Sequence, residues 1–193
     1  METLKDIFIN EIGLNEEHLI QIGKILKRVN LQKKEFLIEA GDICSFIGFV
    51  QEGVLRTYVQ NESEEFNIDF HLPNFFVSAY KSFLTQTPTK AYIQALSDTT
   101  IHFISYSDYH NLLKNSTDWY RFGKYIADTL FIIKCKRESS LLMDSAIERY
   151  KLFLKAYPQI EQLVAQYHIA SYLGIKPESL SRIKSLTYIN KKY

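Results

Sequence analysis

The 193 residues allow one large domain or two small ones, and with 46% hydrophobic residues either arrangement can bury a core without help from disulfides. Two cysteines, Cys44 and Cys135, are too few and too far apart for a disulfide framework, a four-thiolate cluster or a close metal-ligand pair. The net charge of +1 hides an asymmetry, because residues 134–193 carry 11 Lys and Arg against 5 Asp and Glu while the preceding 133 carry 12 against 17; only the C-terminal part suits a polyanion.

The opening Met1-Glu2-Thr3-Leu4-Lys5-Asp6 lacks the basic flank and apolar run of a signal peptide, and no later run approaches the roughly 20 apolar residues of a membrane span. A cytoplasmic protein with no membrane contact is expected. Asn15-Glu16-Glu17 supplies a capping side chain and two carboxylates ahead of the stripe Leu19, Ile22, Ile25 and Leu26, so the first helix should run to about Arg28. From Val29 to Phe103, short runs rich in Ile, Val, Phe, Tyr and Thr are broken by Gly41-Asp42, Glu52-Gly53, Asn61-Glu62-Ser63 and Leu72-Pro73-Asn74. That is strand and turn punctuation at the spacing of an all-β sandwich or barrel.

Ser105 or Ser107 caps a short helix through Leu112 and Leu113, and Ser116-Thr117-Asp118 starts a second run, free of Pro, to Met143. Along it Phe122, Tyr125, Ile126, Thr129, Leu130, Ile133, Lys136, Arg137 and Ser140 recur at steps of three and four, while Phe131, Ile132, Leu141 and Leu142 widen the apolar surface. One face should pack on the β-domain and another on a second chain, with Ile126, Leu130 and Ile133 as candidate seam residues; periodicity equally allows a wholly intramolecular core helix. A further helix follows from Ala146 to Ala156, ended by Tyr157-Pro158.

Gln166 to Ile183 reads as two short helices about a tight turn. Ala170 is small where the helices cross, Gly174 can take the positive φ that ends the first helix, and Ile175, Leu180 and Ile183 fill the angle. Pro177 suits a first helical turn, so the second helix should start near Lys176. Its outward face carries Glu178, Ser179, Ser181, Arg182 and Ser185, with Lys184 to one side, and these are residue types that reach base edges and phosphates. The competing reading is an ordinary helical corner with a solvated polar face.

With this tail behind a β-domain and a long helix, the chain resembles the Crp/Fnr family of transcription regulators over nearly its full length. Phe36-Leu37-Ile38-Glu39-Ala40-Gly41-Asp42 and Val50-Gln51-Glu52-Gly53-Val54-Leu55-Arg56 resemble the family's two glycine-marked β-roll turns. Asp144-Ser145-Ala146-Ile147-Glu148-Arg149-Tyr150 resembles the start of its DNA-binding part, and Glu178 and Arg182 match the base-reading Glu and Arg, with Pro177 replacing the preceding family Arg. The resemblance implies an α+β fold: an N-terminal antiparallel β-roll (a double-stranded β-helix, or jelly roll) with flanking helices over residues 1–115, a dimerisation helix over 116–143, and a helix-turn-helix with a truncated wing over 144–193. It also implies a homodimer on a palindromic DNA operator, with RNA polymerase and a small-molecule effector as further partners.

The effector cassette departs from the family pattern. Where nucleotide-binding members carry Gly-Glu and, farther on, Arg-Ser or Arg-Thr, this chain has Ser78-Ala79 and Thr89-Lys90, with Tyr80 beside them. A phosphate without its Arg fork and a ribose without its carboxylate lose charge-assisted hydrogen bonds, and Lys90 offers only a point charge. Cyclic AMP is therefore not the expected effector, and an iron-sulfur cluster is not expected with so few cysteines. Two other classes compete. A cupin-like metal enzyme would need clustered ligands, yet His71, His102, His110 and His168 form no close pair with a carboxylate in the sequence, so a non-enzyme is expected. A protein-interaction module with a decayed winged domain would fit the short C-terminus after Lys191 and Lys192, but not the intact helix-turn-helix spacing.

Overall fold

A computed structural model describes residues 2–189, and the side chains of residues 4–186. The N-terminal segment holds α1 (Glu2–Asp6), a π-helical turn (Ile7–Glu11) and α2 (Glu16–Ile25). Asn15 and His18 form a reciprocal capping box at the start of α2. The helix stops three residues short of Arg28, because Lys27–Leu31 is strand β1, paired antiparallel with Thr99–Phe103. Val29 sits mid-strand opposite Ile101, where a β-branched side chain packs better than on a helix.

Seven more strands follow: β2 (Phe36–Ile38), β3 (Phe46–Glu52), β4 (Leu55–Gln60), β5 (Glu65–His71), β6 (Phe76–Val77), β7 (Ala91–Ala95) and β8 (Thr99–Ser105). They form two antiparallel four-stranded sheets, in the orders β1-β8-β3-β6 and β2-β7-β4-β5. This is the expected β-roll. Leu55, Val77, Ile93 and Ile101 are buried in its core, where alternating side chains bring two apolar faces together. The β3–β4 turn depends on Gly53 at φ +86°, since a Cβ there would lie 2.4 Å from the Asp98 carbonyl oxygen.

Between β6 and β7 lies α3 (Tyr80–Thr85), and after β8 come α4 (Tyr106–Asn115) and α5 (Trp119–Met143), the 25-residue helix. Ser105 caps α4 by accepting from the Asp108 amide. The inward stripe of α5 is Trp119, Phe122, Ile126, Leu130 and Ile133, and the first three are buried with Phe8 and Tyr109 in the β-roll core. This corrects the seam assignment at Ile126. Ile126 is fully buried within its own chain, and Leu130 packs half-buried on the same core. The stripe is intramolecular through Leu130, and the side chains that only widened it, Phe131 at 68% exposure and Leu142 at 81%, face outward.

The C-terminal part is α6 (Ala146–Ala156), α7 (Ile160–Leu163), α8 (Gln166–Leu173) and α9 (Pro177–Ile189). A Ser145–Glu148 capping box starts α6 where the sequence places it. The short α7 was not foreseen in the sequence. These helices share a core with the β-roll: Val54, Phe70 and Leu72 pack with Tyr150, Phe153, Tyr157, Ile160, Ile169 and Leu180. Residues 190–193, with Lys191, Lys192 and the expected truncated wing, lie outside the described residues.

Candidate nucleic-acid interface

The turn between α8 and α9 has the geometry its residues require. Gly174 sits at φ +66° and its amide bonds back to the Ala170 and Ser171 carbonyls, closing α8 in the left-handed conformation. Pro177 is the first residue of α9, and the Leu180 amide donates to the Lys176 carbonyl. Ile169, Ala170, Leu173, Leu180 and Ile183 are buried between the helices, which makes the pair one rigid unit.

On the opposite side of α9, Glu178, Ser179, Ser181, Arg182 and Ser185 are all exposed, and Lys176 is exposed at its start. Ser185 donates from Oγ to the Ser181 carbonyl, 3.1 Å away. Lys184 is different. It lies 2.7 Å from a Glu161 carboxylate oxygen with both side chains only 18% exposed, so the reading of Lys184 as a free phosphate contact is replaced by an α7–α9 tie.

The β-roll holds α8 from behind. β5 is the edge strand of its sheet, and the Ser171 hydroxyl caps that edge by donating to the Glu65 carbonyl at 2.9 Å and accepting from the Asn67 amide at 3.0 Å. Buried Arg56 gives hydrogen bonds to Gln94 Oε1 and, at 3.0 Å, to His168 Nδ1, and it pairs with Glu65. Asp69 accepts from the Tyr157 hydroxyl at 2.7 Å and meets Lys134 at 3.3 Å. Burial pushes the Asp69 carboxyl up, yet His71, Lys134 and the Tyr157 hydrogen bond outweigh it and hold the group below its usual range. Sequence reasoning missed this junction, since its partners lie about a hundred residues apart.

Burial, reinforced by the Arg56 charge, holds His168 neutral down to about 4. The unfolded chain takes up that proton near pH 6.5, so the contribution is complete above 6.5 and is lost as pH falls toward 4. The His71 pKa is also lowered by burial and acts in the same direction. His168→Gln, which keeps an acceptor for Arg56, is expected to lose less thermal midpoint than the parent between pH 7 and pH 5. Circular dichroism melts at both pH values check this, and an equal loss in the two proteins refutes it.

Of the effector residues, only Tyr80 lines the open cleft between α3, α4 and α5. Ser78 donates to the Phe46 carbonyl at 3.0 Å, Ala79 is buried, and Thr89 is fixed by backbone bonds to Gly41 and Asp42. Lys90 is exposed. Tyr80 stacks on Phe83 and borders an open cleft of about 560 Å³ with Tyr109, Tyr120, Arg121 and Lys124 from α4 and α5. A cyclic nucleotide finds neither a carboxylate at residue 79 nor a guanidinium at residue 89, so the residues present do not fit that ligand. The histidines have structural partners: His71, for instance, donates to the Phe76 carbonyl and accepts from Thr57. Among the described residues no group of three or more His, Cys, Asp or Glu is placed to hold a metal ion, and no helix is long and apolar enough to cross a membrane.

Residues 28–116 match the family described as the cyclic nucleotide-binding domain. The anaerobic regulatory protein of Haemophilus influenzae is 27% identical over 186 residues, an alignment spanning 88% of this chain and 70% of that one. A Crp/Fnr-family transcriptional regulator structure from Eubacterium rectale aligns with 92% of this chain and 85% of its own at TM-score 0.67 and 20% identity. The chain has the fold of these regulators. FixK2 from Bradyrhizobium japonicum superposes at TM-score 0.77 over 86% of both chains, with 16% identity. The Crp/Fnr-type fold therefore extends through the helical tail, so the matching part is larger than the β-roll alone.

Proposed function

We propose that this Crp/Fnr-type chain is a homodimeric, non-enzymatic transcription regulator that binds a palindromic DNA operator and answers to an effector other than cyclic AMP. The observation that carries this reading is the α9 surface, where Lys176, Glu178, Ser179, Ser181, Arg182 and Ser185 stand exposed on a helix braced from behind by α8. A guanidinium on such a helix pairs bidentately with guanine, a carboxylate accepts from cytosine, and hydroxyls reach phosphates. The dimer forms through the outward face of α5, with Phe131, Ile132 and Leu142 in place of Ile126. Two-fold symmetry then sets two recognition helices about one DNA turn apart, roughly 34 Å.

Selection from random duplexes tests the reading and should return a palindrome. On the selected operator, Arg182→Ala is expected to cost about 1–3 kcal/mol and to relax preference at one base pair per half-site. Unchanged affinity and preference in that variant would displace the recognition face. Failure to select any operator would favour a protein-interaction module instead.

A further inference from the structure

Arg137 occupies the point where dimerisation helix, sensor and reader meet. From the penultimate turns of α5 its Nη2 donates to the Asn67 carbonyl on β5 and to the Tyr172 carbonyl on α8, each at 3.2 Å. Its guanidinium also lies over the Tyr172 ring, 4.8 Å from the centroid. One side chain thus bonds to two elements while belonging to a third. A second arginine grips the same helix end from α6, since Arg149 Nε donates to the Leu173 carbonyl at 3.0 Å and its Nη1 to the Asp144 carbonyl at 2.7 Å. Cations on the last carbonyls of a helix are favourable, so the end of α8 is held on two sides.

Stability alone does not account for this arrangement. Arg137 Nε and Asn67 Oδ1 are buried and have no hydrogen-bond partner among the described residues. A guanidinium partly stripped of water and only partly bonded contributes less than an apolar side chain of the same volume. What it does supply is direction: fixed donors that admit one placement of α8 relative to α5 and β5.

The junction uses the side of α8 that faces the β-roll and leaves the exposed α9 face untouched. A contact that covered that face would block a duplex; this one presents it. Because α8 and α9 move as one unit, orienting α8 orients α9.

We propose that Arg137 is a positioning residue that fixes the helix-turn-helix relative to the dimer axis, so that both recognition helices of the dimer meet the two half-sites of one operator together. The inference rests on the DNA-binding reading above. Its physical content is effective concentration. With the first half-site engaged, a rigidly held second reader already faces its target, whereas a reader swinging about the α5–α6 joint at Asp144 and Ser145 must first find it. Contacts within one half-site do not depend on Arg137.

The test compares the selected operator, its isolated half-site, and the operator lengthened by two base pairs at its centre, bound by the full-length parent and by Arg137→Met. Circular dichroism and light scattering establish that the variant is a folded dimer, and Ser171→Ala, which loosens α8 from β5 while keeping Arg137, serves as a milder second variant. Arg137→Met is expected to bind the half-site within about twofold of the parent, to lose about tenfold or more on the full operator, and to distinguish the lengthened operator less well. Ser171→Ala should shift the same ratio in the same direction, and it decides the matter if Arg137→Met does not fold. Equal losses on half-site and full operator would mean that Arg137 merely supports the helix-turn-helix, and no loss on either would mean that orientation is set elsewhere; each overturns the proposal. A parent protein that selects no duplex removes the DNA-binding reading itself, and this inference with it.

Discussion

Phe131→Asp should convert the protein from a dimer to a monomer at micromolar concentration while leaving each chain folded. Phe131 is 68% exposed on α5, and Ile132 and Leu142 extend the same outward surface at 49% and 81%. Covering such side chains is worth about 1.5–3 kcal/mol each, and a two-fold axis counts every one twice. The loss of Phe131 alone therefore removes about 3–6 kcal/mol, two to four orders of magnitude in the dimer Kd, before the repulsion of two facing carboxylates is added. Ile126→Ala provides the contrast. That side chain is fully buried within its own chain, so its truncation should lower thermal stability without changing the oligomeric state. Sedimentation velocity on both variants separates the two faces, and a Phe131→Asp protein that stays dimeric would place the seam elsewhere.

Phe70→Ala is expected to weaken the β-roll and the helical tail together, by about 3–5 kcal/mol. Its ring is fully buried on β5, with ring centroids 6.0 Å from Phe153, 5.9 Å from Tyr157 and 5.6 Å from Tyr172. A cavity there cannot be refilled from either side, because the strand and the three facing aromatics are each held by further contacts. A single melting transition, lowered as a whole, should appear in both far-ultraviolet dichroism and tyrosine fluorescence. Two separate transitions, only one of them shifted, would falsify the shared core.

The elements that sequence reading captured are those fixed by near neighbours. Ser145 and Glu148 bracket a helix start three residues apart, Gly174 ends a helix by its own backbone freedom, and both work regardless of what the rest of the chain does. Lys27 and Arg28 went to the helix because they follow directly on its apolar stripe ending at Leu26; the pairing with β8, some seventy residues away, decides the matter. Ile126 failed as a seam residue for a related reason. A regular stripe reports that a helix face is buried, not what buries it, and on α5 the stripe from Trp119 to Leu130 packs on the same chain. Lys184 looked available until Glu161 on α7 came beside it. Ser171, His168 and Arg137 carried no local signal at all, since their partners Glu65, Arg56 and Asn67 become neighbours only after the tail folds back on the β-roll.

That fold-back has a consequence for how the molecule can be divided. A fragment ending at Met143 would leave the β5 edge with the Glu65 carbonyl and Asn67 amide open to solvent and Phe70 and Leu72 uncovered beside them. Bare strand edges next to apolar side chains template intermolecular pairing, so such a fragment would tend to aggregate rather than persist as a free sensor. The β-roll and the helical tail are therefore not interchangeable modules joined by a linker. Grafting another reader onto this β-roll would succeed only if the graft brought its own cover for β5.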